Sequence, residues 1–136
     1  MSVITIDTTI NANIDQVWEY WTVAEHVIQW NTALETWHTP HAENDLNIGG
    51  KFNYRMEAKD GSMGFDFWGI YNNIIQNELI ETTLGDGRKV STRFSSDKTI
   101  TRVIESFETE SQNPEEMQRA GWQAILDNFK KYVESH

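Results

Sequence analysis

Acidic side chains are the first residues of this chain whose type could support proton-transfer chemistry. Glu105 lies in an alternating segment in which Val103 and Phe107 occupy the same face. If that face points inward, Glu105 is a buried carboxyl group, and burial raises the pKa of a carboxyl so that it can act as a general acid or base. A shift of one residue in register would place the neighbouring Ile104 inside and Glu105 in solvent. The sequence leaves both orientations open.

A second group of polar side chains surrounds Pro40, namely His38, His41, Glu43 and Asp45. These side chains are of the types that bind zinc, but a proline separates the two histidines and no helix fixes their spacing. We therefore expect a polar loop at the entrance of a cavity and no metal site or cofactor. His38, which follows Trp37, remains a candidate contact for a ligand and, together with Glu105, a candidate catalytic residue.

Other catalytic patterns are absent from the sequence. The chain contains no cysteine, which excludes thiol nucleophiles and disulfides. Two glycine-containing segments, 61–64 and 85–88, lack the spacing of a nucleophile elbow or a phosphate-binding loop. We interpret both segments as hairpin turns.

Aromatic side chains are abundant, with six Trp, four Tyr and six Phe. Many of them occupy strand and helix positions that should face one another, which is typical of a ligand cavity with apolar walls. Ordinary packing in a hydrophobic core is the alternative. The residues expected to bind a ligand are Trp18, Trp30, Trp37, His38, Phe52, Tyr54, Met56, Phe65, Phe67, Met117 and Trp122.

The N-terminal third of the chain predicts one strand followed by two short helices. Val3 to Ile10 alternates with the period of a half-buried strand. Asn13 is a helix cap with Gln16 three residues later, and apolar residues then recur at helical spacing. A second short helix should start near Ala24, and the segment around Pro40 should be an irregular loop.

The middle of the chain predicts an antiparallel meander, because successive alternating segments are joined by short turns. In the segment from Phe65 to Tyr71, Asp66 and Trp68 should face outward, and Gly69 is a candidate bulge. An exposed Trp68 leaves open a homodimer formed through the outer face of the sheet, whereas a bulge at Gly69 would turn Trp68 inward instead.

The last element should be a long helix. Pro114 begins a segment that predicts a helix of about 20 residues, with a broad apolar arc that includes Met117, Trp122 and Phe129. So wide an arc should be buried against a concave partner. The element order therefore predicts an α+β domain in which helices pack on one face of a curved antiparallel sheet.

Size and charge narrow the class of protein. A chain of 136 residues fits one domain, residues 1–136. The net charge of −10 argues against nucleic acid and anionic membrane surfaces, since both attract clustered Lys and Arg. No segment has the roughly 20 apolar residues of a membrane span, and the N-terminus lacks a leader pattern. We expect a soluble cytoplasmic protein.

Several segments together resemble one known family, in the same order along the chain. They are Val17 to Thr22, Trp30, Asp45-Leu46, Gly49 to Phe52, Gly69 with Tyr71, and Gly121-Trp122. In these segments the chain resembles the bacterial branch of the family named after the activator of the Hsp90 ATPase (AHSA1-like), within the START-like or Bet v 1-like (SRPBCC) superfamily. The sequence departs from many members at Asn31, where they carry a second Trp, and this makes the mouth of the pocket more polar.

The resemblance implies a helix-grip fold, in which a sheet of about seven strands holds the C-terminal helix around a cavity. It also implies binding of a hydrophobic or aromatic small molecule, such as a lipid or a polyketide, without assigned catalysis. Two alternatives remain. One is a cavity enzyme, such as a cyclase, dehydratase or hydrolase, that uses Glu105, His38 or Tyr54, and the other is a stress- or chaperone-linked interaction module.

Overall fold

Alternating and helical segments of the sequence form seven strands and three helices in the computed structural model, which describes residues 2–136. The strands are β1 (Val3–Ile10), β2 (Trp37–Asn44), β3 (Lys51–Ala58), β4 (Gly64–Ile75), β5 (Leu79–Leu84), β6 (Lys89–Asp97) and β7 (Ile100–Glu108). The helices are α1 (Ile14–Thr22), α2 (Ala24–Trp30) and α3 (Glu115–Glu134).

The strands form one antiparallel sheet in the order β1-β7-β6-β5-β4-β3-β2. From β2 to β7, neighbours in sequence are neighbours in the sheet, so the predicted meander is confirmed. β1 forms the other edge of the sheet and pairs with β7, where Ile6 lies opposite Glu105. The two short helices after β1 and the long α3 complete the helix-grip fold that the resemblance implied.

The start of α1 has the predicted cap. The Asn13 side chain accepts a hydrogen bond of 2.9 Å from the backbone N–H of Gln16, which satisfies one of the free donors at the helix N-terminus. Val17 and Trp18 on the apolar face of α1 are buried. The position of this helix is therefore set by both its cap and its packing.

The prediction of an irregular loop around Pro40 is wrong. Residues 37–44 form strand β2, which lies at the edge of the sheet. The pairing register of β2 shifts between His38 and His41, and Pro40 lies within that shift. A proline has no N–H to donate to a neighbouring strand, and an irregular edge strand is where a sheet accepts one.

The bulge predicted at Gly69 is also displaced. Gly69 pairs regularly with Phe52 on β3 and with Leu84 on β5, and the register of β4 shifts later, between Tyr71 and Asn73. A Cβ at position 69 would lie 2.8 Å from the Phe52 ring and 2.8 Å from a backbone oxygen of β5. Glycine is therefore required here by the close approach of the Phe52 ring to the backbone.

Helix α3 packs against the concave side of the sheet through its C-terminal half. Leu126, Phe129 and Val133 are buried there. The Phe129 ring centroid lies 4.9 Å from that of Trp21 and 4.8 Å from that of Trp30, which joins α3 to α1 and α2. The apolar arc predicted for α3 is shorter at its start, because 60% of Met117 is exposed.

Among residues 2–136, no helix combines the length and the apolar character that crossing a membrane requires.

Candidate functional site

A cavity of about 280 Å³ lies between the concave face of the sheet and α3. Its wall includes side chains from β3 to β7, from α3, and from α1 and α2. Seven of the predicted ligand-binding residues line it: Trp30, Phe52, Tyr54, Met56, Phe65, Phe67 and Trp122. The aromatic alternation of β3 and β4 therefore identified one half of the wall.

Aromatic rings in contact form that half. The Phe52 ring lies 5.1 Å from the ring of Tyr54 and 5.7 Å from that of Phe67, between ring centroids. Phe67 meets Trp122 of α3 edge to face at 6.0 Å. Trp122 in turn stacks on Phe107 of β7 at 4.1 Å. These contacts hold the indole of α3 over the sheet and fix one side of the cavity.

The structure places the other four predicted residues outside this wall. Trp18 is buried and packs against Phe94, with ring centroids 5.3 Å apart. Trp37 and His38 lie on the edge strand β2, where the Trp37 ring contacts Phe65 at 6.0 Å. Met117 is exposed in the first turn of α3.

Strands β5 and β6 also form part of the cavity wall, although none of their residues was among the predicted ligand contacts. Ile80, Thr82 and Leu84 of β5 and Val90 and Thr92 of β6 also line the cavity. Their alternation was present in the sequence, since every second residue of both strands faces inward. The threonines carried no signal of their own, because Thr is also found on the outer face of a sheet.

Glu105 points inward and lines the cavity with 8% of its surface exposed. It lies between Ile6 of β1 and Thr92 of β6 in the register of the sheet. Burial raises the pKa of the Glu105 carboxyl to about 8, and the hydroxyl of Thr92 partly opposes this rise. The carboxyl is therefore mainly protonated at neutral pH.

His38 and Glu105 are not brought together. His38 lies on β2 and Glu105 on β7, and four strands separate these two in the sheet. His38 is absent from the cavity wall as well. These two candidate catalytic residues therefore do not form an acid–base pair, and Tyr54 is the remaining candidate that shares the cavity with Glu105.

Two buried tyrosines stand in the same wall, and neither ionises near neutral pH. Burial, followed by the influence of the Tyr71 phenol, raises the pKa of Tyr54 well above its usual range. Burial raises the pKa of Tyr71 to about 12. The Tyr71 hydroxyl donates to Asn44 Oδ1, and Asn44 Nδ2 donates to the carbonyl of Thr22, which ties β4 to β2 and α1.

Arg88 is the cation of the cavity wall, and its charge is already paired. Its Nε lies 2.8 Å from Asp86 Oδ2, and its Nη1 donates to the Glu108 carbonyl oxygen at 3.3 Å. The guanidinium group is thus held by the turn between β5 and β6 and by the end of β7. It does not form an ion pair with Glu105.

The polar residues around Pro40 do not assemble a metal site. His41 Nε2 lies 3.0 Å from Glu43 Oε1 on the exposed edge strand. Within residues 2–136, no group of three or more His, Cys, Asp or Glu side chains is placed to hold a metal ion.

Comparison with known proteins identifies the family. The model of the family "Activator of Hsp90 ATPase homolog 1-like protein" matches residues 11–134. None of the curated proteins compared with this chain matches it.

Solved structures agree with the family match. The solution structure of the AHSA1-like protein from Aeromonas hydrophila is 40% identical over 98% of this chain and 93% of that chain, with a TM-score of 0.92. A solution structure from Cytophaga hutchinsonii is 49% identical over 97% of this chain and 92% of that one, with a TM-score of 0.84. A crystal structure from Chromobacterium violaceum, at 18% identity, covers 98% of this chain and 99% of that chain and shares the fold with a TM-score of 0.88. The chain therefore belongs to the family of Activator of Hsp90 ATPase homolog 1-like proteins, within the Bet v 1-like superfamily.

Proposed function

We propose that this protein binds a small hydrophobic, preferably aromatic molecule in the cavity between its sheet and α3. The observation that carries the proposal is the cavity of about 280 Å³ whose wall is formed largely by aromatic and aliphatic side chains. Removing apolar surface from water is the main source of affinity for such a ligand, at about 25 cal/mol per Å². Aromatic walls also offer stacking and edge-to-face contacts to a flat ligand.

The size of the cavity favours a compact ligand. Pockets that bind small molecules commonly measure about 300 to 1,000 Å³, so this cavity lies just below the lower end of that range. A molecule of two or three rings, or one short acyl chain, suits this space better than a lipid with two long chains. Met56 in the wall has a flexible side chain that can adapt to ligands of different shapes.

An enzymatic role is the second candidate, and the inward carboxyl of Glu105 is the observation that favours it. A protonated carboxyl in an apolar cavity is suited to act as a general acid. Among the described residues 2–136, no histidine lines the cavity beside it. Binding without chemistry therefore remains the simpler proposal, since it needs only the shape and the apolar character of the wall.

Native mass spectrometry with a mixed library of lipids and aromatic compounds tests the proposal. Wild-type protein should retain one class of compact ligand. Ile80→Trp, which adds an indole inside the cavity, should abolish retention, whereas Ile100→Trp at a position with 45% exposure should not. Circular dichroism verifies that both variants fold. Equal retention by the two variants, or no retained compound in the wild type, would refute the proposal.

A further inference from the structure

A short polar stripe crosses the concave face of the sheet inside the otherwise apolar cavity. Thr82 on β5, Thr92 on β6 and Glu105 on β7 all line the cavity, and each is buried. Thr92 lies directly opposite Glu105 in the register. Thr82 pairs with Val90, two residues before Thr92, so the two threonines are diagonal neighbours on the same face. Three adjacent strands thus place three polar side chains in one row.

The fold does not use Glu105 in an ion pair. None of the ion pairs formed by residues 2–136 includes it. Its neighbours on the same face of β7 are Val103 and Phe107, and across β1 it faces Ile6. A buried carboxyl group costs free energy unless a hydrogen-bond partner satisfies it. Thr92 is a single neutral hydroxyl, which leaves part of the hydrogen-bonding capacity of the carboxyl for a molecule in the cavity.

We propose that Glu105, supported by Thr92, is the polar anchor of the cavity, and that the ligand is a ring-containing apolar molecule with a carbonyl oxygen that accepts a hydrogen bond. This inference rests on the proposed binding function and adds the chemical class of the ligand. The protonated carboxyl donates to the ligand carbonyl, and the Thr92 hydroxyl orients the carboxyl from the neighbouring strand β6. Thr82 extends the polar row onto β5. The aromatic rings of β3, β4 and α3 hold the apolar part.

The protonation state of the side chains in the cavity wall favours a ligand that accepts a hydrogen bond over a cationic ligand. Burial raises the pKa of Glu105 to about 8, so the carboxyl is mainly a neutral donor at neutral pH. The other titratable or charged side chains in the wall are Tyr54, Tyr71 and Arg88. Both tyrosine pKa values are raised, and Arg88 is paired with Asp86. Between about pH 6 and 9 the charge of the wall therefore changes at Glu105.

A matched pair of probes tests the inference. 2-Acetylnaphthalene carries the carbonyl, and 2-isopropenylnaphthalene has a similar shape without the acceptor. Isothermal titration calorimetry at pH 6.5 should show that wild-type protein binds the ketone about tenfold more tightly, which is the effect of one satisfied hydrogen bond in a desolvated site. This preference should fall at pH 9.5, where Glu105 has lost the proton that it donates.

Two variants separate the anchor from the apolar cavity. Glu105→Leu should bind both probes with equal affinity at both pH values, and Glu105→Gln, which keeps an N–H donor, should retain a preference for the ketone that no longer depends on pH. A ketone preference that survives in Glu105→Leu would overturn the inference, as would equal binding of both probes to the wild type. Binding of neither probe to the wild type would refute the cavity function itself, and the inference with it.

A third probe, the cation of 1-(2-naphthyl)ethylamine, tests the opposite class of ligand. With a protonated anchor, its affinity should stay below that of the ketone at pH 6.5. Tighter binding of the amine than of the ketone, lost in Glu105→Gln, would show that Glu105 acts as a counter-ion and would overturn the assignment.

Discussion

Replacing Glu105 with Gln should make the stability of this protein less sensitive to pH. The two side chains have nearly the same shape, but the amide cannot ionise. The folded structure raises the pKa of the Glu105 carboxyl from 4.5 to about 8, mainly by burial. Since one pKa unit corresponds to about 1.36 kcal/mol, complete ionisation of Glu105 costs the folded state about 5 kcal/mol relative to the unfolded chain.

The sign of this effect follows from which state keeps the proton. Below about pH 4.5 the carboxyl is protonated in both states, and its contribution to the free energy of unfolding is fully present. Between about pH 4.5 and 8 the unfolded chain loses the proton while the folded protein keeps it, so stability falls as pH rises. At pH 7 about 3 kcal/mol should have been lost through this one group, and above pH 8 the loss should level off.

Urea unfolding of wild type and Glu105→Gln across pH 4.5 to 9 measures the effect. The variant should become progressively more stable than the wild type over this range, because the other titrating groups cancel in the difference. Glu78→Gln, at an exposed position in the turn between β4 and β5, is the matched control and should show no such trend. A constant difference between wild type and Glu105→Gln from pH 5 to 9 would refute the argument that burial holds the proton on Glu105.

Three further predictions concern the scaffold of the cavity and are measured by chemical denaturation. Gly69→Ala should destabilise the protein by about 1 to 3 kcal/mol, because its Cβ would meet an aromatic ring at 2.8 Å. Gly121→Ala, with no atom within 4 Å of its Cβ, should stabilise α3 by about 0.5 to 1 kcal/mol. An equal effect at both sites would contradict this reasoning. Phe129→Ala should lower the free energy of unfolding by about 3 to 5 kcal/mol, and Met117→Ala, at an exposed position, by less than about 0.5 kcal/mol. Similar losses in the two variants would show that Met117 is packed in the core. Asn13→Ala should cost about 1 kcal/mol through the lost helix cap, and an unchanged midpoint would count against the cap.

Most of the fold could be predicted because the apolar residues of each strand or helix recur at one regular spacing. β1 alternates, α1 carries a cap and an apolar face, and α3 starts after Pro114. β2 was missed because Pro40 is a strong signal against a strand, and only the pairing with β3 shows that an irregular edge accepts it. That pairing is a long-range property which local sequence does not contain.

The candidate site was predicted in part, for a related reason. The alternating aromatic residues of β3 and β4 gave their inward face directly. On α3 the apolar arc is broad, and which part of it covers the cavity depends on how the helix is rotated and placed on the sheet. Trp122 lies over the cavity while Met117 lies in solvent, although both belong to the arc. Thr82 and Thr92 became candidates only when their strands were placed beside β7.

The orientation of Glu105 shows how tertiary pairing decides a question that the sequence leaves open. β7 is alternating but apolar on both faces near Ile104, and the register with β1 places Ile6 opposite Glu105 and Ile4 opposite Phe107 on the inward side. The sheet therefore buries a carboxyl group that has Thr92 as its polar neighbour, and ionisation of this group carries a cost in free energy that Gln or Leu would avoid. The scaffold gains no ion pair in return, and the proposed role of Glu105 as the anchor for a ligand accounts for a carboxyl at this position. A ligand that accepts a hydrogen bond from the protonated Glu105 carboxyl should stabilise the wild type most strongly below about pH 8. This added stability should be lost as Glu105 ionises.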